Sequence, residues 1–258
     1  MKLSRHINFV LGAGLLTLST WSAQATVVEV QTVMGNFQVN LYDSKTPKTV
    51  ENFLGYVKSG AYFNNVVHRS MDDFIIQAGG YQFDGELPLN ELSKAASVVN
   101  EPKLSNVRGT IAMAKLANDP NSATSEWFIN LKDNSANLDL QNHGFTVFGQ
   151  VLGNGMQVVD AIAALQTFDK GPAFRNIPLR NYSDASQDVK GENLVLITDI
   201  VIVDAAVNTH PELNPVPNTL INKLPESEGS SSGGSLGFGV LLAGMLAAFS
   251  RRRFNAKY

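Results

Sequence analysis

Residues 66–82 read VVHRSMDDFIIQAGGYQ, and the placement of polar groups in this stretch decides how the fold is read. The apolar pair Val66-Val67 runs straight into His68-Arg69. Past the arginine, Phe74-Ile75-Ile76 ends on Gln77, and Ala78-Gly79-Gly80 follows. Asp72-Asp73 suit a turn and the glycines mark the next bend, so the pattern predicts strand, polar turn, strand. Adjacent acids in a turn mostly face water, which argues against a catalytic carboxylate pair. A cation and an amide at the two ends of a short apolar segment also support a sharper reading: a pocket in which Arg69, Gln77 and Phe74 face one small uncharged substrate.

Composition narrows the choices. The 258-residue chain is 44% hydrophobic, enough for a substantial core. Its formal charge of -3 provides no basic stripe, so no nucleic-acid partner is expected. The chain has no cysteine, which excludes disulfides and thiolate chemistry. Its four histidines, His6, His68, His143 and His210, lack ligand spacing, so no metal site is expected, and no cofactor motif is present. Neither a G-x-S-x-G elbow nor a P-loop nor a dinucleotide glycine fingerprint supports a hydrolase or nucleotide enzyme.

Both ends read as addresses. Residues 1–25 carry Lys2 and Arg5, then an apolar run, then Ala23-Gln24-Ala25; this is the pattern of a cleaved secretory signal, predicting a mature start at Thr26. Residues 208–234 are rich in Pro, Ser and Gly and read as an extended linker. Residues 235–258 hold an uncharged apolar run ending at Arg251-Arg252-Arg253, marginal in length for a membrane span but with the basic end of a cytoplasmic stop. The Ser-Gly-Gly motif, short apolar segment and basic end resemble the GlyGly-CTERM sorting tails of exported bacterial proteins. That resemblance implies membrane contact before processing and cleavage near Gly233-Gly234 by a rhombosortase-type protease; a plain C-terminal anchor is the alternative. Removal of both ends would take away basic residues and no acidic ones, leaving a distinctly acidic body.

Residues 26–207 read as one domain. Val27 to Val33 and Phe37 to Leu41 flank Met34-Gly35-Asn36, a hairpin signal. Thr46-Pro47 opens a helix whose apolar stripe is Val50, Phe53, Leu54 and Val57, with Gly60 as its stop. Strand-like runs follow at 66–69, 74–77, 109–114, 126–130 and 146–151, a second helix at 156–165, and a long closing strand at 194–203. The stretches 84–103 and 180–193 read as surface loops. Many short strands with two helices predict a β-barrel whose open ends are capped by helices.

Five blocks then recur in a recognisable order: Val67-His68-Arg69; Phe74-Ile75-Ile76-Gln77-Ala78-Gly79-Gly80; Arg108-Gly109-Thr110-Ile111-Ala112-Met113-Ala114; Asn121 through Asn130; and Val147-Phe148-Gly149-Gln150-Val151. Together they resemble a cyclophilin, in particular the exported bacterial branch. The resemblance covers the body and neither end. It implies an eight-stranded antiparallel barrel closed by two α-helices and peptidyl-prolyl cis/trans isomerase activity on proline-containing, unfolded or partly folded exported proteins, in the periplasm or cell envelope of a Gram-negative bacterium. By similarity, Arg69 faces the proline nitrogen and Gln77 orients it. Phe74, Ile75, Phe128 and Leu138 form the apolar socket, and the backbone of Ala114 and Lys115 holds the residue before proline.

Three positions depart from the commonest family pattern. Ile75 stands in place of methionine, a volume-conserving change. Glu126 stands in place of glutamine; an ionised carboxylate only accepts hydrogen bonds, so a donor toward substrate is lost and basic substrates are favoured. Asn137 stands where an aromatic residue is usual. The resemblance with these departures implies reduced sensitivity to cyclosporin. The alternative function is a weakly catalytic proline-peptide-binding or scaffold module tethered to the envelope.

Overall fold

The computed structural model describes residues 26–206 and 209–222. The expected signal, the Ser-Gly-Gly motif and the apolar C-terminal segment lie outside the described residues. Among the described residues, no helix is long and apolar enough to cross a membrane.

The chain opens with the expected hairpin. Strands β1 (Val27–Thr32) and β2 (Phe37–Leu41) pair antiparallel in the register Glu29 to Gln38. Gly35 takes a φ of 120°, and Thr32 Oγ1 bridges the turn, donating to the Gly35 carbonyl at 2.6 Å. Helix α1 (Pro47–Lys58) starts on Pro47, whose missing N–H costs nothing in a first turn, and its end is followed by Gly60 at a φ of 69°. It buries Val50, Phe53, Tyr56 and Val57, while Leu54 is only half covered. Full burial of a side chain such as Phe53 stabilises by about 1.5 to 3 kcal/mol, and the Phe53 ring meets those of Phe148 and Tyr62 at 5.0 and 5.4 Å.

The remaining elements are β3 (Asn65–Val66), β4 (Arg69–Met71), β5 (Ile75–Ala78), β6 (Tyr81–Gln82), β7 (Asn90–Glu91), β8 (Thr110–Met113), β9 (Trp127–Asn130), α2 (Ser135–Leu138), β10 (Val147–Val151), α3 (Gly155–Ala163), β11 (Thr167–Phe168), β12 (Ile177–Pro178) and β13 (Leu196–Asp204). The large sheet runs β4-β5-β9-β8-β10-β2-β1-β13-β3-β6-β7. Its first strand, β4, and the strand after β13, β3, belong to one stretch of chain, residues 65–71. Val66 pairs with Leu196 on β13, and Val67 N–H donates to the Val195 carbonyl. One residue later His68 N–H donates to the Gln77 carbonyl, and Arg69 pairs with Gln77 on β5. The segment that reads as one strand at 66–69 is therefore the seam of the barrel, changing partner between Val67 and His68. With 65–71 counted once, the ring holds eight strands, as expected; β6 and β7 continue the sheet beyond β3, and β11 and β12 form a separate pair.

The barrel core contains Val28, Val30, Val39, Leu41, Ile76, Ile111, Ile129 and Trp127, with α1 and α3 packed on it through Phe53, Val159 and Ile162. The described part of the linker stretch, 209–222, lies against the domain: Leu104 forms a β-bridge to Pro217, and Thr209 and Asn218 are buried.

Candidate functional site

Side chains on a strand alternate between faces, and the register shows what that does here. Ile76, Ile129 and Ile111 stand side by side and point into the barrel. One position away, Arg69, Gln77, Phe128 and Ala112 form a lateral row across β4, β5, β9 and β8 on the opposite face. Beyond one end of this row lie Glu126 and Ala114, joined by the Ala114 N–H donating to the Glu126 carbonyl at 2.9 Å. Beyond the other end lie Met71, Ile75 and Asn130. The register thus brings Arg69, Gln77, Ile75, Phe128, Glu126 and Ala114, of the residues named from sequence, onto one face.

Its polar arm is a chain of three side chains. Glu126 Oε2 accepts from Gln77 Nε2 at 2.8 Å, and Gln77 Oε1 accepts from Arg69 Nη1 at 3.2 Å. The amide orientation follows from chemistry: a carboxylate only accepts and a guanidinium only donates, so Nε2 must face Glu126 and Oε1 must face Arg69. The other guanidinium nitrogen lies 2.8 Å from Met71 Sδ. Burial lowers the Arg69 pKa, and the negative charge of Glu126 opposes that shift. For Glu126, burial pushes the pKa up, but the hydrogen bond and charge of His68 and the Gln77 hydrogen bond outweigh it, and the carboxyl is held below its ordinary value.

Glu126 is drawn inward rather than left on the rim. His68 Nε2 lies 3.4 Å from Glu126 Oε2, and a quarter of the Glu126 side chain remains exposed. The two glycines make the room: a Cβ on Gly79, at a φ of 91°, would press into the Ser125 carbonyl, and one on Gly80 would come within 2.9 Å of Glu126 Cδ. The His68 ring packs edge-on against Tyr81 at 5.1 Å.

The apolar arm is a cluster of Ile75, Phe128, Leu138, Phe145, Leu104 and Ala112, with Phe74 and Ala114 partly exposed against it. Phe128 and Phe145 meet edge to face at 5.8 Å. Leu138 comes from α2 and is fully buried, and its carbonyl accepts from Phe145 N–H at 2.8 Å. Phe145, 2% exposed, backs this cluster and was missed by sequence reasoning; it sits just before β10, outside the strand-like run read at 146–151. Lys115 also does more than its backbone role predicts. Its Nζ donates to the Asn142 and Gly144 carbonyls at 2.9 and 2.6 Å and lies 4.7 Å from the Phe145 ring centre. Burial lowers its pKa to about 8, against a small opposing effect of Asp119. Its own peptide N–H and C=O make no hydrogen bond among the described residues.

Beneath the socket, Asn134 Nδ2 donates to the Phe74 carbonyl at 2.9 Å and to Asn130 Oδ1 at 2.8 Å, while Asn106 Nδ2 donates to the Phe145 carbonyl at 3.1 Å. Beside Phe74, a cleft of about 480 Å³ opens between Met71 to Phe74 and Lys132 to Asn137. Asn137, the small polar residue where an aromatic was expected, lines it. Among the described residues, no cluster of His, Asp or Glu has the form of a metal site.

Comparison with known proteins gives the family and agrees with the fold. Residues 27–183 match the family described as cyclophilin type peptidyl-prolyl cis-trans isomerase/CLD. A peptidyl-prolyl cis-trans isomerase of Acinetobacter baylyi is 39% identical over 192 residues, covering 73% of this chain and 97% of the relative. Peptidyl-prolyl cis-trans isomerase A of Dickeya dadantii is 40% identical over 158 residues, covering 60% of this chain and 79% of the relative. A crystal structure of a Cryptosporidium parvum cyclophilin type peptidyl-prolyl cis-trans isomerase, determined in the presence of the dipeptide Ala-Pro, shares the fold with a TM-score of 0.51 at 23% identity, over 69% of this chain and 99% of its own.

Proposed function

The chain belongs to the cyclophilin-type peptidyl-prolyl cis/trans isomerase family and is such an isomerase, and from that premise we propose that Arg69 is the group that lowers the rotation barrier, acting on exported polypeptides. An X-Pro amide resists rotation by about 18 to 20 kcal/mol because twisting breaks its resonance. Unaided exchange takes tens to hundreds of seconds. No bond is made or broken, so the reaction needs no nucleophile; it needs a site that fits the twisted amide better than either planar form.

Twisting localises a lone pair on the proline nitrogen, and a donor placed there stabilises the twisted state selectively. The observation that carries this reading is the Glu126-Gln77-Arg69 relay set beside the apolar socket. The proline ring rests against the partly exposed Phe74, backed by the buried cluster of Phe128, Ile75 and Leu138. Gln77 fixes the guanidinium and can offer its second N–H to the substrate backbone. The free peptide group of Lys115, beside Ala114, takes the residue before proline as an added strand would.

The test is cis/trans exchange of a short Ala-Pro peptide, followed by NMR with the full chain and its Arg69→Ala variant. Fast exchange that collapses in the variant supports the reading. Equal exchange in both would overturn the role of Arg69. A second reading, a tethered module that binds proline peptides and turns them over slowly, draws on one feature: Glu126 occupies an N–H of Gln77 that a substrate could otherwise use. Bound peptide with negligible exchange would favour it.

The exported setting rests on the sequence of the two ends. In this reading the protein helps exported chains fold in the periplasm or cell envelope, after signal cleavage at Thr26 and with a C-terminal segment that is sorted by a rhombosortase-type protease or kept as an anchor. Mass spectrometry of the protein recovered from its native host would show it: a species beginning at Thr26 agrees, and an uncleaved N-terminus in the cytoplasm would sink it.

A further inference from the structure

The stretch 209–222 has the composition of a linker, yet it is fastened to the domain at both ends. Thr209 Oγ1 donates to Asn40 Oδ1 at 2.7 Å. Farther along, the chain adds itself to residues 103–105: Ser105 N–H donates to the Val216 carbonyl at 2.8 Å and Asn218 N–H to the Lys103 carbonyl at 2.9 Å, around the Leu104 to Pro217 bridge. Leu104 belongs to the socket cluster of Phe128, Leu138 and Phe145. The segment therefore pairs with the strand-like stretch that backs the socket.

Asn218 is the pivot. It is 7% exposed, and both ends of its amide are engaged: Nδ2 donates to the Asp139 carbonyl at 2.9 Å, while Oδ1 accepts from Leu220 and Ile221 N–H at 3.0 and 3.1 Å. Asp139, the residue after Leu138, is buried as well. Its carboxylate accepts from Ser105 Oγ at 2.6 Å and from Asn106 N–H and Nδ2 at 2.8 and 3.0 Å, and Asn106 in turn holds the Phe145 carbonyl. Next to it, Gly144 lies so close to Ile221 that a Cβ there would come within 3.2 Å of Ile221 Cδ1. The carbonyl of Gly144 is one of the two gripped by Lys115.

We propose that residues 209–222 form a strap that completes the proline socket from behind, with Asn218 as a positioning residue acting through Asp139 on Leu138 and Phe145. Among the described residues the strap's hydrogen bonds reach neither Arg69 nor Gln77, so it sets the shape of the pocket and leaves the rotation chemistry alone. The inference rests on the reading of Leu138 and Phe145 as the buried backing of the socket. A buried polar network of this kind is worth its hydrogen bonds only when every member is present, because a lost partner leaves buried groups unpaired.

The test compares the full chain with Asn218→Ala and with a deletion of 209–222. The expected result is a rise in KM for the Ala-Pro peptide of about five-fold for Asn218→Ala, the effect of one buried hydrogen bond, with kcat nearly kept and the NMR signals of the Leu138 methyls and the Phe145 ring shifted. The deletion is expected to do more, and a synthetic 209–222 peptide added in trans to restore part of the loss. A lower melting temperature with KM and the Leu138 and Phe145 signals unchanged below it would overturn the proposal, leaving the segment a stabiliser only. Should the deletion fail to fold, Asn218→Ala decides alone. Should the parent chain lack isomerase activity, the functional reading fails, and the strap stands or falls on those two sets of signals.

Discussion

Gln77 on β5 reaches diagonally to Glu126, the residue just before β9, its amide Nε2 donating to the carboxylate Oε2 at 2.8 Å, and this bond settles what the amide can offer to Arg69. Because Glu126 accepts only, Gln77 is held with its oxygen toward the guanidinium. The carboxylate at position 126 thus fixes the alignment of Gln77 toward Arg69 while taking up an N–H, and a quarter of its side chain remains exposed.

Glu126→Gln is expected to raise turnover of neutral Ala-Pro peptides and lower that of peptides with lysine beside proline, by about three-fold each way, the scale of a part-exposed ion pair. Peptide kinetics at low salt would show it; an unchanged ranking of the two substrates would refute it. The same variant has a pH signature. The Glu126 carboxyl is held below the ordinary value of 4.5, so its contribution to stability is fully present above that value and is lost as pH falls through the lowered pKa. Thermal melts of the variant should lose that acid limb.

Lys115 gives the opposite end of the pH scale. Its pKa falls from the ordinary 10.5 to about 8 in the fold, so between those values the unfolded chain binds the proton more readily. Stability should therefore rise as pH increases from 8 to 10.5. Lys115→Met should abolish that slope, and, by releasing the carbonyls of Asn142 and Gly144, should weaken peptide binding. A slope that persists in the variant would mean another group is responsible.

Phe145→Ala removes a buried ring and its edge-to-face contact with Phe128. Loss of a buried phenylalanine costs about 3 to 5 kcal/mol, visible as an earlier denaturant midpoint. Phe145→Leu, which keeps most of the volume, should fold well yet show a raised KM for Ala-Pro peptides. An unaltered KM in a well-folded Phe145→Leu protein would remove Phe145 from the socket.

Asn137 lines the open cleft beside Phe74, where an aromatic ring would close it. Cyclosporin is expected to inhibit weakly, and Asn137→Trp to tighten inhibition by about ten-fold, the worth of a good aromatic contact. Nanomolar inhibition of the parent chain, measured in the exchange assay, would contradict this.

Much of the site was legible because strands impose a period of two. Ile75, Gln77, Glu126 and Phe128 can be assigned to one face by counting alone once the strands are placed. What was hidden depended on partners distant in sequence. Phe145 lies outside β10, and only the fold shows it against Phe128. The Lys115 side chain shows no role in the sequence, and only the fold brings its Nζ to the Asn142 and Gly144 carbonyls. Residues 209–222 have no periodicity, since isolated hydrogen bonds to 103–105 and Asp139 leave no mark on composition. The seam at 65–71 is likewise invisible, because a change of pairing partner needs no change of residue type.

That seam bears on when the protein becomes competent during synthesis. Arg69 is carried by the segment whose first half is clasped by β13, near the carboxyl end of the domain. A ribosome that has not yet delivered Leu194 to Asp204 has made Arg69, Gln77 and Phe128 but not the strand that locks Val66 and Val67 in place. The arginine is then borne on a free edge. The ring is therefore closed only by its last strand, although every member of the Arg69, Gln77 and Phe128 row lies upstream of it in the chain.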